Sequence, residues 1–233
     1  MKKILCTLLA ILMLASLCAC GSNDDTSNIR GEIIDGNTVP AATNPVETDP
    51  PETESTFSFG KTTGNTYQNE FLGISCTLPE DWAFYSDQQI LEMNNLTGEF
   101  LDEDAAKLMA NATIIYDMMA SQQTDGSSIN INLEKLNALQ LLSLDIKAVL
   151  EAQIDIIVPT YENMGYTDVQ AVSEKVTVDG KEYDSLRISA KIQGIDFYST
   201  AFSFLKGNYL ANVTVSSLAE DKTATYLSYF TID

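Results

Sequence analysis

The chain of 233 residues has no histidine, one tryptophan and four cysteines, and sets only 13 lysines and arginines against 33 aspartates and glutamates. Each scarcity removes a class of function. Without histidine there is no Ser-His-Asp or Cys-His machinery of the usual kind, no HExxH zinc helix and no imidazole metal ligand. Carboxylate, tyrosine and lysine chemistries remain. The acidic excess, a net charge of −20, repels nucleic acid and anionic headgroups. No nucleic-acid partner is therefore expected, and cationic, neutral or metal-bridged partners are favoured.

What is present begins with Met1-Lys2-Lys3 and a weakly polar to apolar run from Ile4 to Leu17. A bilayer-spanning helix needs about 20 apolar residues, whereas an export signal needs roughly 7 to 15. The run reads as an export signal over residues 1–19. Leu17-Cys18-Ala19-Cys20 resembles the lipobox of bacterial lipoproteins, in which a leucine and a small residue precede the cysteine that is lipidated and becomes the mature N-terminus. Cys20 fits that role, and Leu17 is too large for the small-residue slot before Cys18. The resemblance implies a diacylglyceryl anchor on Cys20, holding the chain on the extracytoplasmic face of a membrane. Cys6 and Cys18 leave with the signal. Cys76 then stands alone, so no intramolecular disulfide is expected, and its apolar setting predicts a buried structural thiol.

From Cys20 to Thr66 the composition shifts. The segment Asn44–Thr56, NPVETDPPETEST, repeats Pro, Thr and Glu with almost nothing to bury, which predicts a disordered acidic spacer over residues 20–66. A flexible coil of that length reaches roughly 40 Å, and proline and like charge extend it.

The periodicity of a packed domain is expected over residues 67–233. TYQNEF and GISCTL read as strands ended by Pro79. Ser86 and Gln89 make a capping box for a helix to about Asn94, and Asp102 can cap a second across Glu103–Asn111. Strands follow over 112–121 and 128–135, the latter alternating Ile129, Ile131 and Leu133 against Asn130, Asn132 and Glu134. The longest helix is predicted from Leu144 to Met164, with a kink or early stop near Pro159. Strands over 169–178, 181–192, 195–205 and 209–216 follow, and Asp179-Gly180 is the strongest hairpin signal. Ser217 and Glu220 suggest a last capping box.

Tyr67-x-Asn69-x-x-Leu72-Gly73-Ile74 followed by Leu78-Pro79-Glu80-Asp81-Trp82 resembles the start of PsbP-like domains and of small Gram-positive lipoproteins of that shape. The resemblance implies an α+β fold, a central antiparallel sheet flanked by helices in an α/β/α sandwich, used mainly for docking. The photosystem member assists an extrinsic complex, and a eukaryotic relative binds a small GTPase. No catalytic residues are shared across that family, and the histidines some photosystem members use for metal contacts are absent here.

Trp82 lies near Tyr67, Phe84 and Tyr85, and these aromatics could line a ligand or partner cleft with Asn69 as polar partner; core packing is the competing role. Met93, Met109, Met118 and Met119 offer an adaptable apolar surface or core filling. Glu99, Asp102, Glu103 and Asp104 lack calcium-loop spacing, and acids in a first helical turn follow from the helix dipole. The expected protein is thus a lipid-anchored, non-catalytic binding or accessory module for an envelope protein or ligand, with no cofactor or metal. The alternative is a carboxylate-based hydrolase or transferase at the cell surface, which requires two acids converging in a cleft.

Overall fold

The computed structural model describes residues 57–94 and 114–233. The export signal, Cys20, the proline-rich spacer to residue 56, the Glu99–Asp104 acids and the helix expected over 103–111 lie outside the described residues. The described strands are β1 (Lys61–Thr63), β2 (Thr66–Asn69), β3 (Ile74–Thr77), β4 (Trp82–Phe84), β5 (Ile114–Gln122), β6 (Ser128–Lys135), β7 (Tyr166–Val178), β8 (Lys181–Ile192), β9 (Ile195–Lys206), β10 (Tyr209–Leu218) and β11 (Phe230–Ile232). Four helices accompany them: α1 (Asp87–Met93), α2 (Ala138–Leu142), α3 (Ile146–Asn163) and α4 (Thr223–Leu227).

The strands form two antiparallel sheets, so the class is α+β. One has the order β4-β5-β6-β10-β9-β8-β7, the other β1-β2-β3-β11. Hairpin turns build most of the large sheet. Asp179 and Gly180 both have positive φ (49° and 74°), as do Gln193 and Gly194 (52° and 83°), the backbone that a two-residue turn needs to follow the twist of its strands. Strand β10 then pairs with β6 as well as β9, from Tyr209↔Lys135 to Ser216↔Ser128, which places β6 inside the sheet.

The faces of the large sheet are covered differently. On one, Ile129, Ile131, Leu133, Val213 and Phe202 pack against Tyr67, Ile74, Cys76, Phe230 and Ile232 of the small sheet and Tyr226 and Leu227 of α4. On the other, Leu186, Ile188, Phe197 and Ala201 pack against Val149, Leu150, Ile157 and Tyr161 of α3. The expectation of helices on both faces is thus corrected: a second sheet supplies most of one cover. That sheet was not expected because β1 and β11 have three residues each, too few for a local period, and exist through long-range pairs such as Phe230↔Cys76.

The start of packed structure also moves. Phe57 and Phe59 lie against the core, and β1 follows at Lys61. Residues 57–66 therefore belong to the folded body, not to the spacer that their composition suggested. Helix α3 continues through Pro159 to Asn163, so no early stop occurs; Asp155, four residues before, whose carbonyl loses its helical donor at Pro159, is an exposed residue. The capping box expected at Ser217 is not formed. Ser217 is buried within β10, opposite Tyr198, and α4 begins at Thr223, whose N–H donates to Asp221 Oδ1 (3.1 Å). Sequence reading passed over α2, although Asn137 caps it with Gln140 in a complete capping box.

Candidate functional site

Three polar or aromatic clusters stand out, and they do different things. The first is a clamp between the sheets. A register shift between Tyr116 and Met118 marks a bulge in β5, and the extra residue of a bulge re-aims side chains. Here Asp117 is buried, and its Oδ1 accepts the Gly60 N–H (2.9 Å) while Oδ2 accepts Asn69 Nδ2 (2.7 Å) and the Tyr67 hydroxyl. Asn69 Oδ1 in turn accepts the Leu72 N–H (2.8 Å), and its Nδ2 also reaches the Ser58 carbonyl (3.1 Å). Burial raises the Asp117 carboxyl above its ordinary value, against the opposing pull of Tyr67, Gly60 and Asn69. The Tyr67 phenol is pushed well up, first by burial and then by the adjacent Asp117 charge. A Cβ on Gly60 would overlap the Tyr67 ring, so only glycine permits this approach. Tyr67 and Asn69 are each 1% exposed. Both are alternate residues on the inward face of β2, which is why they serve the core and not a cleft.

The second cluster is the cleft itself, about 550 Å³ in volume, between the β1–β2 turn (Thr62, Gly64, Asn65), the β3–β4 loop (Leu78, Pro79, Glu80), β4 and its exit (Trp82–Tyr85), and the start of α1 (Ser86, Asp87). Local chemistry fixes these walls. Asn65 Nδ2 donates to the Leu78 carbonyl (2.8 Å), Trp82 N–H donates to the Pro79 carbonyl (3.2 Å), and Gln122 Nε2 holds Asp81 Oδ2 (2.7 Å). Ser86 and Gln89 form the expected capping box. Trp82 is mostly buried, edge-on to Tyr226 (centroids 4.9 Å apart, 79° between planes), while Phe84 and Tyr85 are half-buried. Trp82 thus fills both roles considered for it, closing the core and contributing to the cleft. The four residues singled out in the sequence divide: Trp82 and Tyr85 line the cleft, Tyr67 and Asn69 do not.

The third cluster was missed. Asn130, Asn132 and Glu134, the polar face of β6, are buried, with exposures of 1%, 0% and 0%. Ser203 Oγ donates to Asn212 Oδ1 (2.7 Å), Asn212 Nδ2 to Asn132 Oδ1 (3.2 Å), and Asn132 Nδ2 to Asn130 Oδ1 (3.2 Å). Among the described residues, both Glu134 oxygens, both polar atoms of the Gln153 amide and Asn130 Nδ2 have no hydrogen-bond partner. Burial pushes the Glu134 carboxyl up to about 7. Buried polar groups are normally paired, so this strip is a costly feature of the fold. A clean alternation of polar and apolar residues signals a half-exposed strand, and nothing local warned that both faces would be covered.

Among the described residues no three metal-ligating side chains gather, and no helix is long and apolar enough to cross a membrane. Cys76 and the methionines Met118 and Met119 are buried, and the Cys76 thiol is pushed up to about 12 by burial. No family model and no curated protein matches the sequence. Among solved structures similar to it is LpqN, involved in cell envelope biogenesis of Mycobacterium tuberculosis, with 12% sequence identity, coverage of 66% of this chain and 75% of that one, and a TM-score of 0.34.

Proposed function

We propose that this protein is a lipid-anchored module on the outer face of a membrane that binds an envelope component through the Trp82–Tyr85 cleft and performs no chemistry of its own. Cys20 carries the anchor, the acidic spacer sets the reach, and the domain presents the cleft. The observation that carries the binding role is the cleft's mixed lining: the half-buried rings of Phe84 and Tyr85 and exposed Pro79 over buried Leu78 and Trp82, beside polar and acidic groups (Thr62, Asn65, Glu80, Ser86, Asp87), contact area and polar handles of the kind recognition uses. The buried acids lie elsewhere. Asp117 is occupied by the inter-sheet clamp, and Glu134 belongs to β6. A hydrolase at this cleft would have to work with Glu80 and Asp87, which are both exposed.

The resemblance of Tyr67–Trp82 to PsbP-like lipoproteins belongs with this reading, because its residues supply the clamp (Tyr67, Asn69) and one wall of the cleft (Leu78, Pro79, Trp82). The test is fractionation of cells expressing the Cys20→Ser protein. It should leave the membrane pellet while keeping the circular dichroism of the folded domain. Retention in the pellet at the original level would overturn the anchor.

A further inference from the structure

We propose that the occupant of the cleft is an extended, positively charged peptide segment that adds a strand to the free edge of β4; this rests on the cleft being the binding site. Strand β4 pairs with β5 alone among the described residues. The Tyr85 N–H donates to the Met119 carbonyl (2.8 Å), and the Gln123 N–H donates to the Asp81 carbonyl (3.0 Å). In an antiparallel ladder, alternate residues face the partner strand. Residues 81, 83 and 85 therefore face β5, and the N–H and C=O of Phe84 point the other way, at a residue that itself lines the cleft. The opposite wall belongs to the β1–β2 hairpin, and β1 is likewise an edge, pairing with β2 alone among the described residues. A slot with one open strand edge, faced by Thr62 and the β1–β2 turn, suits an extended chain, which gains main-chain hydrogen bonds for affinity and side-chain pockets for specificity.

Charge selects the kind of segment. Glu80 and Asp87 line the cleft, both exposed, and no lysine or arginine does. A strand laid along β4 directs alternate side chains to opposite sides. One set would meet the half-buried Phe84 and the exposed edge of Trp82, and the other would face Glu80 and Asp87, so the matching segment alternates apolar and basic residues. The chain's own spacer is a poor occupant. Asn44–Thr56 is acidic and carries Pro45, Pro50 and Pro51, which cannot donate to a ladder. A second copy is disfavoured by the net charge of −20 on each.

Trp82 is the only tryptophan, so its emission reports on the cleft directly. The mature chain made soluble by Cys20→Ser would be titrated with a seven-residue peptide alternating lysine and valine, with the glutamate–valine counterpart, and with lysine–valine peptides N-methylated on one edge or the other. The lysine peptide should give a saturable shift in Trp82 emission, weakened roughly tenfold or more by Glu80→Gln with Asp87→Asn and by high salt. Methylation of one edge should abolish the shift, and methylation of the other should leave it intact. Equal binding of the glutamate peptide, indifference to both methylations, or no response to the lysine peptide would each overturn the proposal. A soluble chito-oligosaccharide serves as the control ligand: a Trp82 response to it, with none to any peptide, would overturn the peptide while leaving the cleft as the binding site.

Discussion

The Tyr67 hydroxyl donates to Asp117 across 50 positions of sequence, joining β2 of the small sheet to the bulge in β5 of the large one. This bond and its neighbours hold the two sheets in one arrangement.

Removing the donor leaves a buried carboxylate with one bond fewer. Tyr67→Phe should lower stability by about 1–3 kcal/mol, and Asp117→Ala, which takes an acceptor from three donors at once and strands the Gly60 N–H and the Tyr67 hydroxyl, by roughly 3 kcal/mol or more. Guanidinium unfolding monitored by Trp82 fluorescence would measure both. Unchanged midpoints would mean that the sheets are held by apolar packing alone.

Among the described residues, Gly60 is the one glycine whose replacement meets an aromatic ring at overlapping distance. Gly60→Ala must displace Tyr67 or break the Gly60–Asp117 bond, and a loss of about 1–3 kcal/mol is expected from overpacking. Gly64→Ala makes a useful comparison, because a Cβ there has open space and only the backbone conformation (φ 61°) to contend with.

Glu134 gives the fold a pH dependence of definite sign. Its carboxyl is raised from 4.5 to about 7 in the folded protein, so the folded state holds a proton that the unfolded state has released between those limits. The stability this contributes is fully present below pH 4.5 and is lost as pH rises through 7, an effect of up to roughly 3 kcal/mol. Glu134→Gln, neutral throughout, should flatten the curve and leave the variant more stable than the parent at pH 8. Thermal melts of both proteins from pH 5 to pH 8 would show it, and parallel curves would count against the assignment.

Pro159 lies within α3 and is exposed. Pro159→Ala restores an N–H that can donate to the Asp155 carbonyl and should stabilise the domain by roughly 1–3 kcal/mol. A rise in melting temperature without loss of peptide binding would be the expected result, since α3 covers the face of the large sheet opposite the small one.

Local chemistry carried far in the sequence. The β6 strand, the Asp179-Gly180 turn, the Ser86 capping box and the α3 stripe all follow from short-range signals, although the alternation of β6 did not carry over into one open face. What stayed hidden depends on distant partners. Residues 57–66 read as spacer because nothing near Gly60 announces Asp117, and Ser217 read as a cap because its pairing with Tyr198 is made across strands. The site divided along the same line. Trp82 and Tyr85, marked by aromatic clustering after Pro79, line the cleft. The exclusion of Tyr67 and Asn69 from the cleft, and the burial of Glu134 and Gln153, required knowing what covers each face.

The way the chain enters the domain has a mechanical side. A pull applied from the N-terminal direction reaches the folded body near Phe57 and passes through Gly60 into β1, whose three-residue ladder with β2 loads its bonds one after another, as a zipper does. The seven-stranded sheet lies downstream of that weak point. With the proposed anchor and spacer in place, tension would open the hairpin that supplies Thr62, Gly64 and Asn65 once the Gly60–Asp117 bond gives, and the proposed occupant would be gripped less firmly under strain.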